Sequence, residues 1–126
     1  MKLLALDNLP KLHATPLSSV RVENSGVIVE VDDEHEQRIQ FVLRPYQAVR
    51  MITADCFMLP HGISIKPQMV CEIADSEWIA DLKRSLSIVD ETATFLNKAH
   101  HYLFPLQDDF LEVVAWGIEA NCNAPT

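Results

Sequence analysis

The sequence predicts an α+β domain, a mostly antiparallel β-sheet of about six to seven strands with one covering helix. Short runs that alternate apolar and polar residues follow each other over residues 19–58, with turn residues between them. A stretch near residues 76–86 repeats apolar residues at helical spacing. The 126 residues contain no linker, repeat or low-complexity segment, which indicates one domain over 1–126.

The first two thirds of the chain is predicted as an irregular arm followed by a meander. Residues 1–17 contain two prolines and no sustained period, so they are predicted to be irregular. The runs within 19–58 are separated by turns at 23–26 and 32–36, and strands joined by short turns are expected to be neighbours. Residues 64–73 are strand-like but include Pro67, which cannot donate to a ladder, so either an edge strand or a break is predicted there.

The covering helix has a defined start and one apolar side. Asp75 or Ser76 can accept hydrogen bonds from the first free amides, and Glu77 lies at the positive end of the helix dipole. The apolar stripe consists of Trp78, Ile79, Leu82 and Leu86. A second short helix is expected after Asp90, within 88–98, with Phe95 and Leu96 facing inward.

The chain closes on a predicted β-hairpin over residues 100–118. Its second run is apolar on both faces, which is typical of a central strand in a covered sheet, and it contains one charge, Glu112. A turn of about three residues would pair Leu106 with Phe110 and His100 with Trp116, whereas a slip would pair His101 with Trp116. Residues 121–126 are predicted to form a flexible tail.

Charge and cysteine content limit the classes of partner and compartment. The net charge is -8, which repels phosphate backbones and anionic lipid, so neither nucleic acid nor a membrane is expected as a partner. No apolar stretch is long enough to span a bilayer, and no secretory signal is recognised. The odd, widely spaced cysteines predict a reduced, cytoplasmic setting, with Cys56 and Cys71 buried and Cys122 exposed.

Three groups of residues are weaker candidates for a site, and a structural role is favoured for each. His100, His101, Asp108 and Asp109 straddle the hairpin, but the separation along the strand is too long for one metal ion. The acidic run 32–36 lacks the glycine and spacing of a calcium loop. Cys56 and His61 would need to approach in space to form a nucleophilic pair. We therefore expect no metal and no cofactor.

The environment of Glu112 decides whether this residue has a structural role or a role in a functional pocket. A buried carboxylate is costly unless it is paired or protonated, and its candidate partners are Arg44, Arg50 or a histidine across the hairpin. A buried ion pair is the favoured interpretation, and a pocket carboxylate with a raised pKa is the alternative. The candidate functional residues are Glu112, His101, Tyr102, Trp116 and Cys56.

The last 55 or so residues carry a resemblance. The order Asp75-Ser76-Glu77-Trp78, His101-Tyr102-Leu103-Phe104, and then Asp109 with Glu112-Val113-Val114-Ala115 resembles small uncharacterised bacterial proteins of immunity or toxin-neutralising type. The resemblance implies an α+β protein-binding module without catalytic residues.

Two classes of function remain open. The first is a non-catalytic protein-binding module, which either self-associates as a homodimer or neutralises a basic partner. Acidity, the missing catalytic motifs and the adaptable Met51, Met58 and Met69 favour it. The second is a small enzyme or ligand-binding protein with a pocket near Glu112 and His101.

Overall fold

The protein is built from two antiparallel β-sheets and one helix. The computed structural model describes residues 2–57, 59 and 63–122, and confirms the α+β class. The described residues form nine strands rather than six to seven. In chain order the elements are β1 Lys2–Ala5, β2 Ser19–Glu23, β3 Gly26–Asp32, β4 Arg38–Leu43, β5 Tyr46–Thr53, β6 Cys71–Ala74, α1 Glu77–Val89, β7 His100–Pro105, β8 Asp109–Ala115 and β9 Ile118–Cys122, with 3₁₀ turns at Ala54–Cys56 and Phe95–Lys98.

The core lies between the two sheets. The five-stranded sheet has the order β1-β6-β7-β8-β5, and the four-stranded sheet has the order β2-β3-β4-β9. Strict alternation in β3 and β4 sends Val, Ile, Phe and Leu side chains inward, where they meet the inner face of β7 and β8. Phe41 and Phe104 join the sheets edge to face, with ring centroids 5.2 Å apart.

The predicted meander divides between the sheets after β4. Antiparallel pairing of β4 with β9 continues as pairing of β5 with β8, so these four strands form one ribbon that passes from one sheet to the other. The two crossings are bonded to each other, because Arg44 N–H donates to Gly117 O at 3.2 Å and Trp116 N–H donates to Pro45 O at 3.1 Å. The expectation that neighbours in sequence remain neighbours in one sheet is therefore wrong for β5.

Three boundary predictions are corrected. Residues 2–5 of the predicted arm form β1, which pairs with β6. Strand structure in the predicted edge strand 64–73 begins only at Cys71, beyond Pro67, and β6 lies between β1 and β7. Asn121 and Cys122, predicted as part of the tail, belong to β9, and residues 123–126 lie outside the described residues.

The closing hairpin has a shorter turn than predicted. Leu106 N–H donates to Asp109 O, which leaves two residues, Gln107 and Asp108, at the tip. Gln107 has φ of 72°, the left-handed conformation that two-residue hairpin loops need at their first position. His100 consequently pairs with Ala115 and His101 with Val114, so neither predicted pairing with Trp116 occurs. β8 is nevertheless paired on both sides, as predicted for a dry strand.

The helix lies on the outer face of the five-stranded sheet and extends to Val89, beyond the predicted end near 86. Ser76 is its N-cap and accepts from the Ile79 N–H at 3.1 Å. In place of the second helix there is a 3₁₀ turn, in which Leu96 is buried and Phe95, predicted to face inward, is exposed. Among the described residues, no helix is long and apolar enough to cross a membrane.

Candidate functional site

A polar cluster is buried where the start of α1 meets the outer face of the sheet. Ser76 comes from the junction of β6 and α1, His101 from β7, Glu112 from β8 and Arg50 from β5. His101 and Glu112 are nearly inaccessible to solvent. The side-chain alternation of β7 and β8 turns both residues toward the helix, while their sequence neighbours enter the core between the sheets. The cluster thus joins three strands to the helix.

Glu112 is a paired buried carboxylate. Arg50 Nε donates to Glu112 Oε2 at 2.7 Å, and Arg50 Nη2 donates to Oε1 at 3.0 Å, which is the two-point geometry of a strong pair. Burial alone would raise the pKa of the Glu112 carboxyl, but hydrogen bonds from His101 and Arg50 outweigh burial and hold its pKa below the ordinary value. The raised pKa of the alternative interpretation is therefore wrong, and Arg50 rather than Arg44 is the partner.

His101 connects Glu112 to the helix. Its Nε2 lies 2.7 Å from Glu112 Oε1, and its Nδ1 lies 2.7 Å from Ser76 Oγ. An ionised carboxylate only accepts hydrogen bonds, so the tautomer that fits these distances has its proton on Nε2 and accepts at Nδ1. The Ser76 hydroxyl then donates to Nδ1 and accepts from the Ile79 N–H. In this series from Glu112 to the Ile79 N–H, each hydrogen bond has one donor and one acceptor.

Trp78 closes the cluster from the helix side. The Arg50 guanidinium lies 3.9 Å from the centre of the Trp78 ring, and the same ring meets His101 edge to face at 5.3 Å. Clefts open on both sides of the start of the helix, with volumes of about 550 Å³ and about 390 Å³. Ser76 lines the larger cleft, Arg50 and Glu112 line the smaller, and His101 borders both. The buried ion pair therefore coexists with a cavity.

Tyr102 and Trp116 do not join the cluster. Tyr102 lies on the opposite face of β7, within the core between the sheets. Burial, helped by the charge of Glu72, raises the pKa of its phenol to about 12. Trp116 lies after β8, under the ammonium of Lys98 at 4.6 Å from the ring centre. Trp116 Nε1 is buried and has no hydrogen-bond partner among the described residues.

Cys56 lines the smaller cleft and is exposed, so the prediction that it is buried is wrong. It lies in a 3₁₀ turn after β5, where no side chain is buried. Cys71 is buried and Cys122 exposed, as predicted. His61, the proposed partner of Cys56, lies outside the described residues.

The histidines and aspartates of the hairpin are dispersed. His100 Nδ1 lies 2.8 Å from Glu72 Oε2, on the other face of β7 from His101. Asp108 and Asp109 lie at the far end of the hairpin. In the acidic run, Asp33 Oδ1 accepts from the amides of His35 and Gln37, both at 2.8 Å, which makes it a turn residue. Within the described ranges, no three or more His, Cys, Asp or Glu side chains are grouped to hold a metal ion.

Ser76 and Trp78 were recognised in the sequence only as helix residues. Ser76 could have been found from its place between a strand and a helix. The second signal is that the same sequence has a carboxylate in an apolar strand and a histidine in the strand paired with it. Because the strand before Ser76 was predicted over 64–73 and not at Cys71–Ala74, the short junction between β6 and α1 was not apparent.

Comparison with protein-family models, with curated proteins and with solved structures found no match to this chain.

Proposed function

We propose that this protein is a protein-binding module that docks a basic partner through the end of α1. The observation that carries the proposal is the exposure of two adjacent aliphatic side chains, Ile88 at 86% and Val89 at 85%. Large apolar side chains exposed side by side are unusual on a monomer and are typical of interaction sites. They end the helix that the polar cluster fixes at its other end.

An apolar groove lies along the last turns of the same helix. It has a volume of about 370 Å³ and separates the last turns of α1 from the 3₁₀ turn at Phe95–Lys98 and the start of β5. Phe95 at its border is 42% exposed. We call this groove, with Ile88 and Val89, the α1 end surface; the groove is lined by Tyr46, Gln47, Leu82, Leu86, Phe95 and Leu96. A projecting pair next to a groove offers two points of apolar contact.

Charge favours a basic partner. Asp90 and Glu91 follow Val89 directly and are exposed. Hydrogen bonds from Thr92 hold the pKa of Asp90 below its ordinary value, so this charge persists into acid. The whole chain carries -8, which steers cationic proteins toward it and makes two copies repel each other. The expected partner segment is an apolar side chain flanked by lysine or arginine, and self-association is the competing outcome.

A site-specific crosslinking experiment tests the proposal. A photo-reactive amino acid replaces Val89 in one variant. In a matched control it replaces Leu17, which is 73% exposed and distant from Val89 in sequence. Irradiation in the native host is expected to trap one protein from the Val89 position only. The trapped protein is then purified and should be basic, and Ile88→Lys should weaken its binding at least about tenfold while Leu17→Lys leaves it unchanged.

Four results would overturn the proposal. Trapping nothing at Val89, or trapping the same proteins equally from Leu17, removes the α1 end surface as a docking site. Trapping only a second copy, together with a mass of twice 14.2 kDa by light scattering, replaces the basic partner with a homodimer. Unchanged binding by Ile88→Lys places the contact elsewhere.

A further inference from the structure

We propose that Ser76 is a nucleophile and that the larger cleft accepts small neutral or cationic esters for hydrolysis. This site lies at the start of α1, and its argument is independent of the docking proposed for the other end of the helix. The juxtaposition that carries it is a hydroxyl on a base that is itself oriented by a carboxylate: Ser76 Oγ to His101 Nδ1 at 2.7 Å, and His101 Nε2 to Glu112 Oε1 at 2.7 Å.

The orientation of His101 suits it to act as a base. Glu112 accepts from Nε2, which leaves the lone pair of Nδ1 directed at the serine hydroxyl. The two ring nitrogens exchange roles relative to the usual serine triad, yet base, nucleophile and orienting carboxylate keep their order. Arg50 holds the carboxylate at two points, so the imidazole cannot rotate without losing its hydrogen bond to a fixed Glu112. Ser76 is partly exposed and lines the cleft of about 550 Å³.

The local backbone resembles the sharp strand-to-helix turn on which exposed nucleophiles are commonly presented. β6 ends at Ala74, Asp75 has φ of 54°, and α1 begins at Glu77. A left-handed aspartate between a strand and a helix is a strained position that often occurs at functional sites. Ser76 therefore projects from a turn whose direction is fixed by both flanking elements.

The first amides of α1 supply donors for developing negative charge. The Ile79 N–H donates to Ser76 Oγ and the Ala80 N–H donates to Ser76 O, so helical geometry leaves the N–H groups of Glu77 and Trp78 without an acceptor inside the helix. An N–H of the residue after the nucleophile is the donor that acyl transfer commonly uses.

The proposed step balances in atoms and charge. Ser76 Oγ forms a bond to the ester carbonyl carbon as its proton passes to His101 Nδ1. The bond from that carbon to the alcohol oxygen then breaks, and the alcohol leaves with the proton from Nδ1. Water attacks the acylated Ser76 by the same route, which releases a carboxylic acid and restores the hydroxyl.

The lining of the cleft limits the substrate class. Three carboxylates, Glu72, Asp75 and Glu77, face one ammonium, Lys83, so anionic esters are repelled. Three alanines and Ile79 form an apolar part of the lining that suits a short acyl chain. A p-nitrophenyl butyrate ester and a fluorophosphonate reagent are neutral compounds that fit this description.

The experiment combines covalent labelling with turnover in the full chain. Fluorophosphonate should add once per chain, at Ser76 by peptide mass mapping, and p-nitrophenyl butyrate should give a burst of p-nitrophenol. Ser76→Gly should abolish both, because it removes the hydroxyl while glycine is well tolerated at a helix N-cap. His101→Gln should slow both by about a hundredfold or more.

Ser87→Ala is the matched control, because this helix serine donates to Arg84 O and has no histidine beside it. It should label and turn over like wild type. The proposal is overturned if the folded wild-type protein gains no adduct at Ser76, or if its turnover equals that of Ser76→Gly. Because both results are read on the wild-type protein, poor folding of a variant does not rescue the idea. Partner capture at Val89 is unaffected by either outcome.

Discussion

The two ends of α1 are held by different kinds of contact. At its start, Ser76, His101 and Glu112 form a directional chain of hydrogen bonds whose donors and acceptors fit in one arrangement. At its end, half-buried leucines rest on the groove, and Ile88 and Val89 extend into solvent. Directional polar contacts fix where the helix begins, whereas non-directional apolar contacts at the other end leave a surface free for a partner.

The same contrast shows that a buried ion pair and a pocket are not exclusive alternatives in this fold.

 The Glu112–Arg50 pair satisfies the buried charge, and clefts of about 550 Å³ and about 390 Å³ remain beside the cluster. A buried carboxylate can thus be structural and still border a cavity.

Removing the carboxylate should have the largest effect on the start of α1. Glu112→Ala leaves the His101 Nε2–H without an acceptor in a dry site and frees Arg50 from its partner. We expect a loss of about 3 kcal/mol in the free energy of unfolding, the lower end for a broken buried pair, because the Arg50 side chain is 44% exposed and can turn to water. Urea denaturation followed by circular dichroism measures it.

Glu30→Ala is the matched control for that variant. Glu30 also pairs with an arginine across two strands, Arg21, but on the exposed outer face of the four-stranded sheet. Its removal should leave the denaturation midpoint near that of wild type, because exposed pairs contribute little. Equal losses in the two variants would contradict the special position of the buried pair.

Acid should weaken the same end of the helix. The pKa of Glu112 is lower in the folded protein than in the unfolded chain, so its stabilisation is complete above the unfolded value of about 4.3 and is lost as pH falls through the lower folded value. The stability difference between wild type and Glu112→Gln should therefore be largest near neutral pH and shrink in acid. Denaturation curves from pH 7 to pH 3 test this, and a difference that grows in acid would refute it.

Changes at the other end of α1 should have the smallest effect on stability. Ile88→Lys replaces an exposed side chain and should shift the free energy of unfolding by no more than about 0.5 kcal/mol. Thermal melting of this variant beside Leu86→Ala, which removes a half-buried groove residue, provides the comparison. A large loss from Ile88→Lys would mean that this side chain supports the fold and is not reserved for a partner.

Local patterns made the fold class and part of the cluster predictable from the sequence. The apolar residues around Glu112 indicated a strand covered on both faces. The cost of burying its charge pointed to Arg44, Arg50 or a histidine as partners, and the structure selects Arg50 and His101. The start of α1 was predictable because Ser76 is a strong helix cap.

Long-range geometry was not predictable in the same way. The register of the hairpin depended on a left-handed Gln107, a residue with no strong preference for that conformation. The transfer of β5 to the other sheet depends on pairing with β8, far along the chain, and no local pattern encodes it. Ser76 meets His101 because β6 pairs with β7 on the far side of the helix in sequence, and no local pattern encodes that pairing either. The resemblance to immunity-type proteins stays a prediction.

The bent ribbon of β4, β5, β8 and β9 has a consequence for how the chain folds. Its strands meet across roughly 70 residues of sequence, so neither sheet closes until this distant pairing has formed. Domains dominated by such pairings fold in milliseconds to seconds rather than microseconds. The amides of Arg44 and Trp116 link the two crossings between the sheets, so we expect their hydrogen exchange to be slow.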